Sequence, residues 1–316
     1  MKIIAKGNKK KRVIALVGPT GIGKTKISIE VSKKINAEIV SADSIQVYIG
    51  MDIGTAKPII EQRKEITHHM INICPPDHIM TVAEFQRSAR KCIDDISNRG
   101  KIPFLVGGSG LYIRSVIDDL HFADNIFNKR ERDKLKNRIE TEGLKSLYME
   151  LIKVDEEYSK KISSNDIRRI IRALEVYYTS GKKFSSFQKQ WEERKSIYDL
   201  TLIGLNKNRD ELYNDIEKRV DNMISSGLFD EVEGLIKKGY GNSLALKQAI
   251  GYKEVLSFFN DELTKKEVIN LIKKNTRNFA KRQLTWLRAD PRVNWIFIKK
   301  NKKFDSIIKK IIEIIF

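Results

Sequence analysis

The sequence is short of cysteine, of acidic residues and of long apolar runs. Its two cysteines, Cys74 and Cys92, do not make a zinc site or a disulfide framework. Two free thiols fit a reducing compartment. No apolar run approaches the roughly 18 residues that a membrane span needs. The opening MKIIAKGNKKKR is a short basic tail without the apolar stretch of a signal peptide. Together these features place the chain in the cytoplasm. Glycine and proline sit at ordinary levels and 41% of residues are hydrophobic, so a folded core is expected. The shortage of acids is the more telling: 41 Asp and Glu face 60 Lys and Arg, a formal charge of +19. Such an excess suits a polyanionic partner, bound through phosphate neutralisation and counterion release. The bland alternative is a lysine-rich surface with no specific partner.

A length of 316 residues allows one large domain or two smaller ones. VIALV at 13–17 is a continuous apolar run, as in a strand buried on both faces of a parallel sheet. Ile27, Val31 and Ile35 then repeat every four residues, the spacing of an amphipathic helix over 25–35. EIV at 38–40 is a second strand. Residues 81–97 read as a helix with Thr81 as N-cap, and IPFLVGG at 102–108 as a third strand after an Arg99-Gly100 stop. Alternating strands and helices are the mark of a doubly wound α/β fold with a mainly parallel sheet. From Asn128 to about Lys195 the chain is dense in charge and reads as helices without strands. There, 165–181 carries a capping start, apolar Ile167, Ile170, Ile171 and Leu174, and a glycine stop. Strand-like TLIGL at 201–205 and VNWIFI at 293–298 follow. The expected organisation is a core over 1–120, a helical insertion over 121–200, and the rest of the core over 201–316.

GPTGIGKT matches the P-loop pattern G-x-x-x-x-G-K-[ST] between a strand and a helix, the context that supports it. Gly18 and Gly23 let the loop of Gly18, Pro19, Thr20, Gly21, Ile22 and Gly23 turn its available backbone N–H groups inward around phosphate oxygens. The following helix N-terminus adds its positive end. Lys24 supplies a point charge, and Thr25 a hydroxyl for phosphate or Mg²⁺. A P-loop usually serves a nucleoside triphosphate, and a second strand then ends in an acid that holds Mg²⁺. Here the third strand ends in Gly107-Gly108-Ser109 instead. An acid, Asp43, stands just past the second strand, at the sheet edge where ligands sit. Two roles fit it equally well: a general base beside the phosphates, or a cap for the next turn. Arg219 borders the apolar stripe Leu212, Ile216, Val220 and Met223, where most arginines are surface charges.

The chain resembles the tRNA dimethylallyltransferase (MiaA-type tRNA isopentenyltransferase) family almost end to end. The resemblance rests on GPTGIGKT, SADSIQVYIGMDIGTAKP at 41–58, VGGSGLYI at 106–113, RALEV at 172–176, RVDNMISSGLFDEV at 219–232, QAIGYKE at 248–254 and NTRNFAKRQLTWLR at 275–288. It implies transfer of a dimethylallyl group from its diphosphate to N6 of the adenosine 3′ of the anticodon, with Mg²⁺ as cofactor. The P-loop would then hold the donor's diphosphate, with no γ-phosphate to split. Asp43 would be the general base, and Thr25 and Arg219 would stabilise the departing diphosphate. Asp43, Ser44, Ile45 and Gln46 resemble the adenine-contacting stretch. Ser109, Arg168, Arg169 and Arg172, and Gln248, Gly251, Tyr252 and Lys253, resemble other tRNA-contacting segments. The same residues could instead be a polar loop, a solvated basic helix face and a glycine turn.

Lys273, Arg277, Lys281 and Arg288 fall near one helical face, widened by Lys274 and Arg282. That strip fits a phosphate track or an ordinary wet surface. Trp286 is expected in the core. His68 and His69 lie in a loop-like stretch as structural or exposed residues. Three departures from the family stand out. Gly21-Ile22 replaces its usual Ala-Ser, Ser109 replaces Thr, and Arg168 replaces a commonly neutral residue. The chain ends at Phe316 without the zinc-finger extension of eukaryotic relatives. A monomer is expected. The alternatives are an adenylate (AMP or ADP) isopentenyltransferase, a P-loop small-molecule kinase and a non-catalytic RNA-binding NTPase. The +19 charge and the helical insertion weigh against the first of these.

Overall fold

The computed structural model describes residues 10–122, 128–300 and 303–316. Among them, β1 (Arg12–Val17), β2 (Ala37–Ala42), β3 (His68–His69), β4 (Ile102–Gly107), β5 (Asp199–Lys207) and β6 (Asn294–Ile298) form one sheet. Its order is β3-β2-β4-β1-β5-β6, and every pairing is parallel. This is the α/β architecture the alternating pattern predicts. β1 shows why its run is continuously apolar. Val13, Ala15 and Val17 enter one core with Phe85 and Ile93 of the helix Val82–Asn98. Ile14 and Leu16 enter the other, with Ile27 and Val31 of the helix Lys24–Ile35. Successive side chains of a strand point to opposite faces, so a sheet covered on both sides needs apolar residues at every position.

The chain divides into two compact units, Asp118–Ser196 and the remainder. The expected boundaries after 120 and 200 thus fall three to four residues earlier. The return to the sheet starts sooner than TLIGL implies: Ile197 N–H donates to the Ile117 carbonyl at 3.0 Å, and β5 opens at Asp199. The smaller unit is helical among its described residues from Asn128 to Lys195, with its own core of Leu135, Leu147, Leu151, Ile170, Ile171 and Leu174. Ile167, in the first turn of the helix Ile167–Ser180, is 46% exposed and does not join that stripe. Gly181 ends this helix in the left-handed region, as expected. In the larger unit Thr81 caps its helix by accepting from Glu84 N–H.

Two elements depart from the sequence reading. His68-His69 is the short edge strand of the sheet rather than loop, with His69 paired to Val40. Phe304–Ile315 is a further amphipathic helix, burying Ile307, Ile308, Ile311 and Ile315 in the core beside β1.

His69 also joins an ion cluster at the start of β2. The Glu38 carboxylate, 3% exposed, accepts from Arg99 at 2.5 and 2.7 Å and from Lys101 at 2.9 Å, and lies 2.7 Å from His69 Nε2. Arg99, with Lys101 and His69, holds this carboxyl far below the usual range, against the opposing effect of burial. Its folded-state pKa is therefore below the unfolded value of about 4.3. The stability it contributes is complete above that value and is lost as pH falls toward the folded pKa. Glu38→Gln should destabilise the protein by about 2 kcal/mol at neutral pH, the low side for a buried charge, because Arg99 and Lys101 reach water. Urea unfolding at pH 7 and at pH 3.5 checks this: the gap between wild type and variant should narrow in acid.

Candidate active site

β1, β2 and β4 end at one level, because Val17 and Ala42 both stand opposite Gly107. Gly18, Asp43 and Gly108 therefore emerge at the same carboxyl edge of the sheet, where α/β folds place their ligands. The P-loop leaves β1 and enters the helix Lys24–Ile35 through Gly23, which is left-handed at φ 93°. The helix's first-turn amides have no intrahelical acceptors, so they face the loop's interior as donors. The Lys24 ammonium donates to the carbonyls of Gly18 and Pro19, each at 2.9 Å. Thr20 N–H donates to Gln283 Oε1 at 2.8 Å, so the long helix Lys265–Arg288 braces the loop from behind. The sequence reading missed Gln283. Its signal was a glutamine in a helical stripe of buried residues, Ala280, Gln283 and Leu287.

Asp43 follows β2 directly, and its contacts are those of a cap for the next turn. Its Oδ1 accepts from Ile45 N–H at 2.9 Å and Gln46 N–H at 3.3 Å, which is the turn cap. Among the described residues nothing donates to Oδ2, which stays available for a substrate proton. Gln46 is oriented by Ser41, whose hydroxyl donates to its Oε1 at 2.9 Å, and its own Nε2 donates to the Thr55 carbonyl at 3.4 Å.

Arg219 reaches the same carbonyl from the helix Arg209–Ser225, donating through Nη2 at 3.2 Å. Its Nε is buried and has no hydrogen-bond partner. Arg219 is therefore not the solvated surface arginine that its stripe position allowed. Burial holds its guanidinium below the ordinary value, opposed by the charge of Asp43. Burial likewise lowers Lys24 to about 7; Arg219 pushes the same way and Asp43 opposes. Lys24, Thr25, Asp43, Gln46, Arg219 and Gln283 line one cavity of about 100 Å³. Two withdrawn cations, an unsatisfied guanidinium N–H and a helix N-terminus around one carboxylate are chemically suited to an anion, with an acceptor oxygen beside it.

Comparison with known proteins identifies the family and the fold. The family model described as IPP transferase matches residues 46–290. The chain belongs to the IPP transferase family. The tRNA dimethylallyltransferase of Carboxydothermus hydrogenoformans is 48% identical, over 95% of this chain and 96% of its own. The full-length tRNA isopentenylpyrophosphate transferase of Bacillus halodurans superposes with a TM-score of 0.72 at 40% identity, over 97% and 96% of the two chains. A eukaryotic dimethylallyltransferase acting on tRNA matches with a TM-score of 0.79 at 28% identity, over 96% of this chain and 77% of that one.

In this IPP transferase the unusual Gly21-Ile22 pair has a packing role. Gly21 has φ 81°, and a Cβ there would stand 2.8 Å from Ile216 Cγ1. Ile22 is 2% exposed and belongs to the core that holds Ile14, Leu205 and Ile216. The side chain at this position is thus turned into the core, away from phosphate.

The segments that resemble tRNA-contacting ones are placed unevenly. Ser109, partly buried, opens the helix Gly110–Ile117, accepting from Ile113 N–H through its carbonyl. Gln248 is exposed and Lys253 is partly so, but Gly251 is buried and offers no surface to RNA, and Tyr252 is fully buried, its hydroxyl donating to Glu231 at 2.5 Å. Its side chain is a core member rather than an RNA contact. In the smaller unit Arg168 and Arg169 are exposed, while Arg172 donates to the buried Glu175 at 3.0 Å. On the basic helix, Lys273 and Arg277 pair with Asp221 and Glu217 at 2.6 and 2.5 Å, leaving Lys274, Lys281, Arg282 and Arg288 as the exposed cations. Trp286, expected in the core, is 45% exposed and lies across Gly110, whose missing side chain makes room for the ring. No group of three or more His, Cys, Asp or Glu among the described residues could hold a metal ion. No described helix is long and apolar enough to cross a membrane.

If Ile22 is a core residue, restoring a hydroxyl there is costly. Ile22→Ser should lower the unfolding free energy by about 3 kcal/mol, the sum of a lost apolar side chain and a buried hydroxyl. Denaturant titration reads this directly; a change below about 1 kcal/mol would place the side chain outside the core.

Proposed function

We propose that this IPP transferase moves a dimethylallyl group from dimethylallyl diphosphate to N6 of the adenosine 3′ of the anticodon in tRNA, releasing diphosphate. The observation that carries the reading is the shared cavity: cationic excess and P-loop amides on one side, the available oxygen of Asp43 on the other. The names of the relatives at 45–48% identity support it, as does the +19 charge.

In the reaction the N6 lone pair forms a bond to C1 of the prenyl group. The C1–O bond breaks and its electrons pass to the diphosphate. Asp43 Oδ2 takes the N6 proton, as a general base. Charge grows on the diphosphate oxygens as the bond lengthens, so Lys24, Arg219 and the loop amides bind the transition state better than the ground state. The two withdrawn cations suit this task, since little water must be displaced to let them act.

We propose Mg²⁺ as the cofactor, carried chiefly by the substrate's phosphates, since no group of three or more His, Cys, Asp or Glu among the described residues would hold it. That ion keeps most of its waters and takes substrate phosphates as ligands. Thr25 would hold it through its hydroxyl, and when bound it would neutralise diphosphate charge. The target adenosine cannot reach Asp43 inside a stacked loop, so it must be flipped out. Ser44, Ile45 and Gln46 are proposed to read its edge, with Ser109, Gln248 and Lys253 from the larger unit, and Arg168, Arg169 and Arg172 from the smaller, contacting the RNA. We assign the enzyme to the cytoplasm as a monomer.

Asp43→Ala separates binding from chemistry. Single-turnover transfer to an anticodon stem-loop should slow by about 10³-fold, within the range of general-base contributions. Calorimetric affinity for dimethylallyl diphosphate should stay within about threefold, since the loop, Lys24 and Arg219 remain. Transfer at the wild-type rate would remove Asp43 from the role of base.

A further inference from the structure

We infer that Glu231 and Tyr252 are positioning residues that set Arg219 and Gln46 through the loop between them. The inference rests on the prenyl-transfer reading above and identifies what holds that site in shape.

Glu231 lies on the helix Leu228–Lys237 and lines no part of the P-loop cavity. Its carboxylate gathers three consecutive backbone amides. Oε2 accepts from Asp52 N–H at 3.0 Å and Ile53 N–H at 2.7 Å, and Oε1 accepts from Gly54 N–H at 3.2 Å. Oε1 also accepts from the Tyr252 hydroxyl at 2.5 Å. The next residue is Thr55, whose carbonyl receives both Arg219 Nη2 and Gln46 Nε2. One carboxylate thus fixes the backbone immediately before the one carbonyl on which two active-site side chains converge.

Gly54 gives an independent sign that this arrangement is built closely. A Cβ at Gly54 would stand 2.4 Å from Tyr252 Cε2 and 2.9 Å from Leu228 Cδ1. The loop backbone therefore lies flat on the tyrosine ring, and only glycine permits it. On its far side the loop is tied by Lys57, whose buried ammonium donates to the Tyr48 carbonyl, to Asp52 Oδ1 at 2.8 Å and to Asn72 Oδ1 at 2.6 Å. Held at both ends, the Thr55 carbonyl has little freedom, and Arg219 is directed with its Nε left over for a ligand. Displacement of such a group by an ångström costs far more in transition-state stabilisation than in fold stability.

Tyr252 also gives the device an outward connection. It sits in the segment Gln248–Lys253, of which Gln248 and Lys253 are proposed above to touch RNA.

Calorimetry with inorganic pyrophosphate, the leaving group itself, tests this on the full chain. Glu231→Gln should weaken its binding about fivefold and Tyr252→Phe about threefold. If Glu231 acts through Arg219, its effect should vanish once the guanidinium fork is gone. Glu231→Gln combined with Arg219→Lys should then bind within about twofold of Arg219→Lys alone. A purely structural role predicts instead that the two losses multiply, and that result overturns the inference. So does binding within about twofold of wild type by both single variants. Tyr252→Phe keeps the ring and so the packing; its cycle with Arg219→Lys decides the matter if Glu231→Gln does not fold. Wild-type protein that binds no pyrophosphate would overturn the proposed function itself, an outcome distinct from wild-type binding with multiplying losses.

Discussion

Two cations withdrawn from water share a small cavity with one carboxylate, and much of the larger unit serves to keep them there. Lys24 is lowered to about 7 and Arg219 is held below its ordinary value, both chiefly by burial. Uncompensated charge in such a place is costly, and a protein retains it where a ligand of opposite sign completes the site. A diphosphate is such a ligand. The same burial that makes the unliganded site costly makes each contact to a developing anion stronger than it would be in water.

The fold meets this constraint with elements that are far apart in sequence. Parallel strands in register bring Gly18, Asp43 and Gly108 to one edge. Gln283 braces the P-loop from the C-terminal third of the chain. The carbonyl of Thr55, set by Glu231, holds Arg219 and Gln46. Each brace is a hydrogen bond between partially or fully buried groups, where a missing partner is expensive, so the braces hold their geometry before substrate arrives.

Much of this was legible in the chain. β1, β2, β4 and β5 announce themselves because strands buried in a parallel sheet are short apolar runs; β6 shows the same run at the sheet edge, with Ile296 alone buried. The P-loop is legible because its chemistry demands glycine and lysine at set spacing. β3 was not, because two histidines carry no period and their strand exists only by pairing with Ile39 and Val40. Asp43 showed its place but not its contacts: one oxygen caps the turn, and the other has no donor among the described residues. Tyr252 and Trp286 were each placed on the wrong side of the surface. A motif records that an aromatic is wanted, not whether its neighbours, Gly54 and Gly110 here, bury it or leave a face open. Glu231 and Gln283 lie beyond sequence reasoning for a simpler reason: their partners are 177 to 179 and 263 residues away. The Gly21-Ile22 departure puts a core residue where the family has a serine.

The central claim is that this cavity grips the departing half of a prenyl donor while Asp43 takes a proton from a flipped adenine. Mass spectrometry of an adenine-rich anticodon stem-loop, incubated with the enzyme, dimethylallyl diphosphate and Mg²⁺ but no ATP, tests it most directly. The account predicts the mass gain of one dimethylallyl group, mapped to the adenosine 3′ of the anticodon. An unmodified RNA, or modification that requires ATP in place of the prenyl diphosphate, would contradict it.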